Sequence, residues 1–393
     1  MRSRGLYKWV VLVLCIVNLM LVVASQLAVV SPSIPVYMEV FSVSAAVASL
    51  LTSVWALARV ITSVPASAVA ARLGTRPAFI TGVLLSTVGW VTAAVAPDYW
   101  TVLAGRFVMG LGAGVIPTVA PVVISEWFER EELGTAMGFW SSSMTLGLVW
   151  ELPLTAWVIS NWGWRYAYAL FAVVSLIMVG PLIVLLRRQP PHPLNPSTVV
   201  GGFRVLELLS DHTYLMVCVA IFFGVGVWSA YTTYVVKWCM AKGYDYMSAS
   251  LLGAVLNAGC IASQAVAGWV SDRFLHGRRR PIFLFGSLLG VLTSLLFTYT
   301  PPGVTTTLTI ATMGVAMAPI LVTMFAAPLD IAKPEQRSLA MGVAGTFIYI
   351  AYTLTLPIGH IYDAHGLVAA TTLTAIIGLA GASIMYINPR KNL

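Results

Sequence analysis

Residues 136–153 read AMGFWSSSMTLGLVWELP, and residues 340–357 read AMGVAGTFIYIAYTLTLP. Aligned without a gap, Ala136-Met137-Gly138 falls on Ala340-Met341-Gly342 and Leu152-Pro153 on Leu356-Pro357, an offset of 204 residues. A second pair of segments agrees at an offset of 201. Ala70-Ala71-Arg72-Leu73-Gly74-Thr75-Arg76 lies against Ser271-Asp272-Arg273 and the following Arg278-Arg279. Parallel self-repetition across apolar segments is the mark of a two-half membrane carrier.

Composition supports this. Apolar residues make up 59% of the chain and charged residues 9%, so most of it cannot face water. Twelve apolar segments reach the roughly 20 residues that a helix needs to cross a bilayer. They run over 9–31, 44–70, 77–96, 99–125, 134–159, 164–186, 212–236, 247–270, 281–300, 304–327, 338–361 and 367–387. The first begins after MRSRGLYKW and is longer than the apolar core of a secretory signal, so it is expected to stay as a span. Pro190, Pro191, Pro193 and Pro196 mark a seam. The expected organisation is a six-helix bundle over 1–186, a cytoplasmic linker over 187–211 and a second six-helix bundle over 212–393.

The net charge of +8 would suit a nucleic-acid partner, but its placement excludes one. With a cytoplasmic N-terminus, seventeen of the twenty-two Lys and Arg fall in inner segments, from Arg2 and Arg4 to Arg390 and Lys391. Only Arg165, Lys237 and Lys242 fall outside. This positive-inside bias puts both termini in the cytoplasm of a multi-pass plasma-membrane protein. Cys15, Cys218, Cys239 and Cys260 show neither paired nor metal-site spacing.

Loop and helix motifs narrow the class. Gly268, Asp272, Arg273, Gly277, Arg278 and Arg279 follow a Gly-x-x-x-Asp-Arg-x-x-x-Gly-Arg-Arg-like loop pattern. The first half keeps Pro65, Arg72, Gly74 and Arg76 but has Ser67 for the glycine and Ala71 for the aspartate. Arg106, Gly110, Gly112 and Gly114 form an Arg-x-x-x-Gly-x-Gly run, and Gly163-Trp164-Arg165 opens the sixth span. Taken together, these features resemble the major facilitator superfamily over essentially the whole chain. The resemblance implies an all-α fold, twelve transmembrane helices in two pseudo-symmetric six-helix bundles, with alternating access to a site near mid-membrane. It also implies a conformational latch in the loop signature, here Arg72, Arg76, Asp272 and Arg273. The alternative is that these loop arginines only enforce topology.

Three ionisable residues lie deep in the expected spans: Arg59, Arg106 and Glu151. Each costs about 2.5–3.5 kcal/mol near the bilayer centre unless paired or hydrated. Helical rise puts Arg59 about 18 Å from the inner end of its span, near the midplane. Arg106 and Glu151 lie about 27 and 26 Å up consecutive helices. As a pair they are either a structural ion pair or a proton-linked switch in which Glu151 is the proton-coupling group and Arg106 is freed for substrate. No carboxylate shares the depth of Arg59, whose guanidinium fork suits a carboxylate or phosphate. The competing account is a bond to backbone carbonyls or snorkelling.

At the two offsets, Arg59 falls on Cys260, Arg106 on Ile310 and Glu151 on Thr355, so all deep charge is confined to the first half. The second half offers Trp228, Tyr231, Tyr234, Asn257, Gln264, Tyr349 and Tyr352. Of these, Tyr231, Asn257, Gln264, Tyr349 and Tyr352 join Arg59 and Arg106 as substrate-binding candidates. The aromatics line a cavity on one reading and serve packing on the other. Asn18 and Gln26 are weaker candidates of the same kind.

No phosphate loop, H-E-x-x-H or G-x-S-x-G motif occurs. No enzyme chemistry, cofactor or metal site is expected, His360, Asp363 and His365 reading as solvated groups at a helix end. The expected activity is secondary active transport of a small organic anion, carboxylate-like and coupled to protons, by a monomer whose partners are the bilayer, the substrate and the proton. A proton antiporter of drugs or hydrophobic cations is the alternative, and a non-transporting membrane sensor is the reading from another class. The topology has a direct check. A C-terminal alkaline phosphatase fusion is expected to be inactive and a fluorescent-protein fusion bright; the opposite pattern would invert the orientation.

Overall fold

The computed structural model describes residues 2–186, 203–275, 278–332 and 337–388. Among the described residues the secondary structure is helical, without a strand. The spans are α1 (Tyr7–Val40, loosened by a π turn at Leu19–Ala24), α2 (Ala45–Ala48 continuing through Leu50–Leu73), α3 (Thr75–Ala94), α4 (Tyr99–Trp127), α5 (Arg130–Trp162) and α6 (Trp164–Leu185). After a short helix at Phe203–Ser210 come α7 (His212–Ala241), α8 (Tyr246–Arg273), α9 (Arg280–Tyr299) and α10 (Val304–Ile331). Helix α11 starts at Arg337–Ile350, tightens through a 3₁₀ turn at Ala351–Leu354 and enters the stretch Thr355–Ile387. Gly366, at φ 77°, breaks that stretch into the end of α11 and a final α12 over 367–387. A left-handed backbone there needs a residue without a side chain.

Ten described helical stretches are long and apolar enough to cross a membrane. The last of these holds both α11 and α12, divided at Gly366. Helix α5 is missing from the ten although it runs for 33 residues, because Ser141, Ser142, Ser143 and Glu151 dilute its apolar character. With the stretch divided and α5 included, the spans number twelve.

Packing divides the chain into two units, Met1–Val29 with Val54–Val199 and Val30–Ser53 with Val200–Leu393. The outer ends of α1 and α2 thus pack with the second unit, whereas the sequence halves would have kept them in the first ("outer" and "inner" follow the charge-based orientation). Within the first unit α3 packs on α4 and α6; within the second, α9 packs on α10 and α12. The repeat read in the sequence is therefore a repeat of contacts.

The lipid-facing surface repeats as well. Leu84, Val88, Val91 and Val95 are exposed along one side of α3, and Leu288, Leu292, Leu295 and Tyr299 along α9. Each pair stands 204 residues apart. Their spacing of three and four puts each set on one helix face. Such stripes are tolerable only where lipid covers them.

Inside each unit the helices close up through glycine. A Cβ on Gly110 of α4 would run into the Trp55 carbonyl oxygen of α2, and one on Gly314 of α10 would run into the Leu256 carbonyl oxygen of α8. Gly110 and Gly314 are separated by the 204 offset, Trp55 and Leu256 by the 201 offset. Lipid gives apolar helices little reason to associate, so close backbone approach supplies the packing energy. Gly110→Ala and Gly314→Ala are each expected to cost about 1–3 kcal/mol as overpacking changes, read as a lowered Tm in detergent. Gly180→Ala, whose Cβ would meet nothing within 4 Å, should leave Tm unchanged or slightly raised.

Candidate functional site

The closeness of α4 to α2 assembles a polar cluster within the first unit. Arg106 lies one helical turn before Gly110, and Arg59 one turn after Trp55. The Trp55 indole therefore lies within reach of both cations. The Arg59 Cζ is 4.6 Å from the centroid of its ring and the Arg106 Cζ 5.8 Å. Both guanidiniums and the indole are buried. A desolvated cation–π contact contributes about 2 kcal/mol, which offsets part of the cost of holding two like charges here.

Gln26 of α1 organises this cluster. Trp55 Nε1 donates to Gln26 Oε1 at 2.6 Å. Gln26 Nε2 donates to the Val22 carbonyl at 2.7 Å and to Ser86 Oγ of α3 at 3.1 Å. Arg106 Nη1 donates to the Gln26 backbone carbonyl at 2.6 Å. Gln26 sits just beyond the π turn at Leu19–Ala24, and π turns recur at functional positions.

Glu151 of α5 faces that same π turn from the other side. Gly147, one turn earlier on α5, packs on Met20 and Ala24, and Glu151 Oε2 would be 3.3 Å from a Cβ placed on it. Glu151 is fully buried, and neither carboxylate oxygen has a hydrogen-bond partner. Arg106 and Glu151, similar in depth, do not form a hydrogen-bonded pair. Depth fixes height along a helix and leaves direction around it open. Arg106 reaches Gln26 and Trp55, whereas the Glu151 carboxylate lies beside Gly147.

The second-half candidates separate into different roles. Tyr231 is buried in an edge-to-face aromatic cluster, 5.1 Å from Trp238 and 6.3 Å from Phe297 between ring centroids. Tyr352 is buried edge-on to Trp228 at 5.9 Å. These contacts are those of packing. Asn257 is buried, and its Nδ2 donates to the Gly253 carbonyl at 2.9 Å while its Oδ1 has no hydrogen-bond partner. Gln264 and Tyr349 are half-buried, with Gln264 Nε2 3.7 Å from Cys260 Sγ.

At the inner loops, Arg76 Nη2 donates to the Ile183 carbonyl at 2.9 Å. Arg72 and Arg273 are exposed, Arg273 lying 5.9 Å from the Trp269 ring; the Asp272 side chain falls outside the described residues. A different contact recurs in both units. Thr75 Oγ1 donates to Glu126 Oε2 at 2.9 Å, and Arg279 Nε to Asp330 Oδ2 at 3.1 Å. Thr75 pairs with Arg279, and Glu126 with Asp330, at the 204 offset. Each contact joins the loop before a third or ninth span to the inner end of the fourth or tenth. The sequence reading found the loops and missed these carboxylates. Trp55 was missed too, although its position four residues before Arg59 was a legible signal for a cation–π pair.

The family model for the Major Facilitator Superfamily matches residues 14–355 and 243–392. The gentisate transporter of Corynebacterium glutamicum is 25% identical over 285 residues, 70% of this chain and 63% of that protein. Monocarboxylate transporter 13 of Bos taurus is 27% identical over 263 residues, 66% of this chain and 60% of that protein. The chain thus spans about six tenths of the length of these curated relatives. Among solved structures, a bacterial homologue of the human lysosomal transporter Spinster superposes with a TM-score of 0.83 at 17% identity, covering 98% of this chain and 97% of that one. Twelve spans, contacts repeated at the sequence offsets and a match across nearly the whole chain lead to one assignment: this multi-pass membrane protein belongs to the Major Facilitator Superfamily.

Proposed function

We propose that the chain is a proton-coupled secondary active transporter that carries a small organic carboxylate across the plasma membrane by alternating access. Both termini lie on the cytoplasmic side in this reading. The observation that carries it is the placement of two buried guanidiniums on one indole, Arg59 and Arg106 about Trp55. A carboxylate entering beside them would gain charge-assisted, bidentate hydrogen bonds of the kind guanidinium forks favour. The relatives named for gentisate and for monocarboxylates support the same substrate class.

Glu151 is the proposed proton carrier. It is the acidic side chain placed deep in a described span, and its oxygens accept no hydrogen bond. A buried carboxyl of that kind gains a low-cost state when it holds a proton.

The test is uptake by proteoliposomes of a panel of small aliphatic and aromatic carboxylates, with and without an inward proton gradient. Wild-type protein is expected to show saturable uptake that the gradient accelerates. Arg59→Ala should lose about tenfold to a hundredfold in uptake, the range for one charged hydrogen bond of about 1.5–3 kcal/mol. Carriage of lipophilic cations in place of the whole panel would overturn the anion reading and favour the drug antiporter. In a separate assay, Glu151→Gln is expected to keep carboxylate exchange between loaded vesicles and lose acceleration by the gradient. Gradient-driven uptake at the wild-type rate in Glu151→Gln would remove Glu151 from the coupling step.

A further inference from the structure

The segment Val30–Ser53 packs with the second unit although α1 and α2 carry it into the first by chain connectivity. Several of the contacts that hold it are polar and specific. The Val236 amide of α7 donates to Ser31 Oγ at 3.2 Å, and Tyr246 Oη of α8 donates to the Pro32 carbonyl at 3.0 Å. The hydroxyls of Thr52 and Thr233 stand 3.0 Å apart, those of Ser53 and Thr355 3.2 Å.

The tightest point is the start of α2. Asp363, near the outer end of α11, accepts the Ala45 amide on Oδ1 and the Ala46 amide on Oδ2, both at 2.9 Å. One carboxylate thus satisfies two of the amides that a helix N-terminus leaves open, and its charge complements the positive end of the helix dipole. Tyr234 Oη lies 3.2 Å from the Ala45 carbonyl and 3.0 Å from that of Thr355, within donating distance of both. A Cβ on Gly359 would meet the Ala46 Cα at 2.8 Å, so α11 approaches α2 as closely as its backbone permits.

We propose that Asp363 is a latch that holds the outer ends of α1 and α2 against α7, α8 and α11, and that it releases α2 once in each transport cycle. This rests on the alternating-access reading above and is independent of which substrate is carried. In the alternating-access reading, opening of the outer side would part Val30–Ser53 from the helices it packs on, because the chain joins that segment at both ends to the first unit. Alongside buried apolar residues such as Val30, Ile34 and Leu51, the segment is held by hydrogen bonds and one charge–dipole pair, whose geometry can be broken and remade. Carboxylate bonds to two amides also have a fixed geometry, so they favour one discrete state.

The experiment labels a reporter cysteine, Ala48→Cys, with a membrane-impermeant maleimide from outside, without any substrate. Ala48 is buried within the held segment, and the four native cysteines are buried and set the background. Asp363→Asn places an amide NH₂ where one accepting oxygen stood. It is expected to raise the labelling rate about threefold to fivefold, the scale of one charge at a helix N-terminus, with Asp363→Glu in between. Unchanged labelling in Asp363→Asn protein that runs as wild type on size exclusion would overturn the latch. A parallel rise at a second buried reporter, Ala120→Cys on α4, would also overturn it, since general loosening would then be the cause. Failure here would leave the uptake assay untouched, so the two readings fall separately.

Discussion

The approach of α4 to α2 through Gly110, and of α10 to α8 through Gly314, is the constraint on which the rest of each unit depends. Water cannot drive helices together inside lipid, so the two backbones must touch for dispersion to hold them. Contact through a residue without a side chain leaves one helix little freedom to rotate or slide on the other. Arg106 is one turn from Gly110, and Trp55 is the residue whose carbonyl Gly110 meets. The packing glycine therefore also fixes the distance between a guanidinium and its indole. In the second unit the same contact forms around Gly314 and Leu256, with Ile310 where Arg106 would be. Packing is duplicated while chemistry is not.

This asymmetry follows from what a bilayer tolerates. A scaffold contact costs nothing to repeat, whereas each further buried charge carries its own desolvation penalty. The first unit concentrates its charge in one cluster, where Gln26, Trp55 and Ser86 share the burden of stabilising it. The second unit holds edge-to-face aromatic clusters such as Tyr231 with Trp238 and Phe297. The polar contacts duplicated between units lie at the inner ends, in Thr75–Glu126 and Arg279–Asp330. There, water and headgroups lower the cost of charge.

Residues 136–153 and 340–357 made the duplication legible because identical small and turn-forming residues survive at fixed offsets. Charge placement sets the expected orientation, since few groups violate the bias. Azimuth around a helix was not legible. Arg106 and Glu151 share a depth, but one side chain reaches Gln26 and the other lies beside Gly147, and no spacing rule sees the break in α1 that separates them. Long-range caps were equally hidden. Asp363 stands next to His360 and His365 in sequence and looks like part of a solvated triad; among the described residues no such metal-holding group forms. Its partners, Ala45 and Ala46, are more than three hundred positions away. They offer backbone amides, which carry no sequence signature at all.

The separation of Arg106 from Glu151 has a mechanical consequence. A direct ion pair would hold both charges in one conformation and quench the proposed anion site. As placed, the two groups lie near one stretch of α1: Arg106 bonds the Gln26 carbonyl, and Gly147, one turn before Glu151, packs on Met20 and Ala24 just before it. Under the proposed coupling, a proton gained or lost at Glu151 would reach Arg106 through a shift of α1, as well as through its field. A π turn is suited to that task, because one extra residue in the turn can be resolved into regular helix by a discrete shift of register. Coupling through such an element needs two arrangements that both sites bias. The interruption in α1 between Asn18 and Ser25 is the place in the first unit where both sites meet a backbone able to supply them.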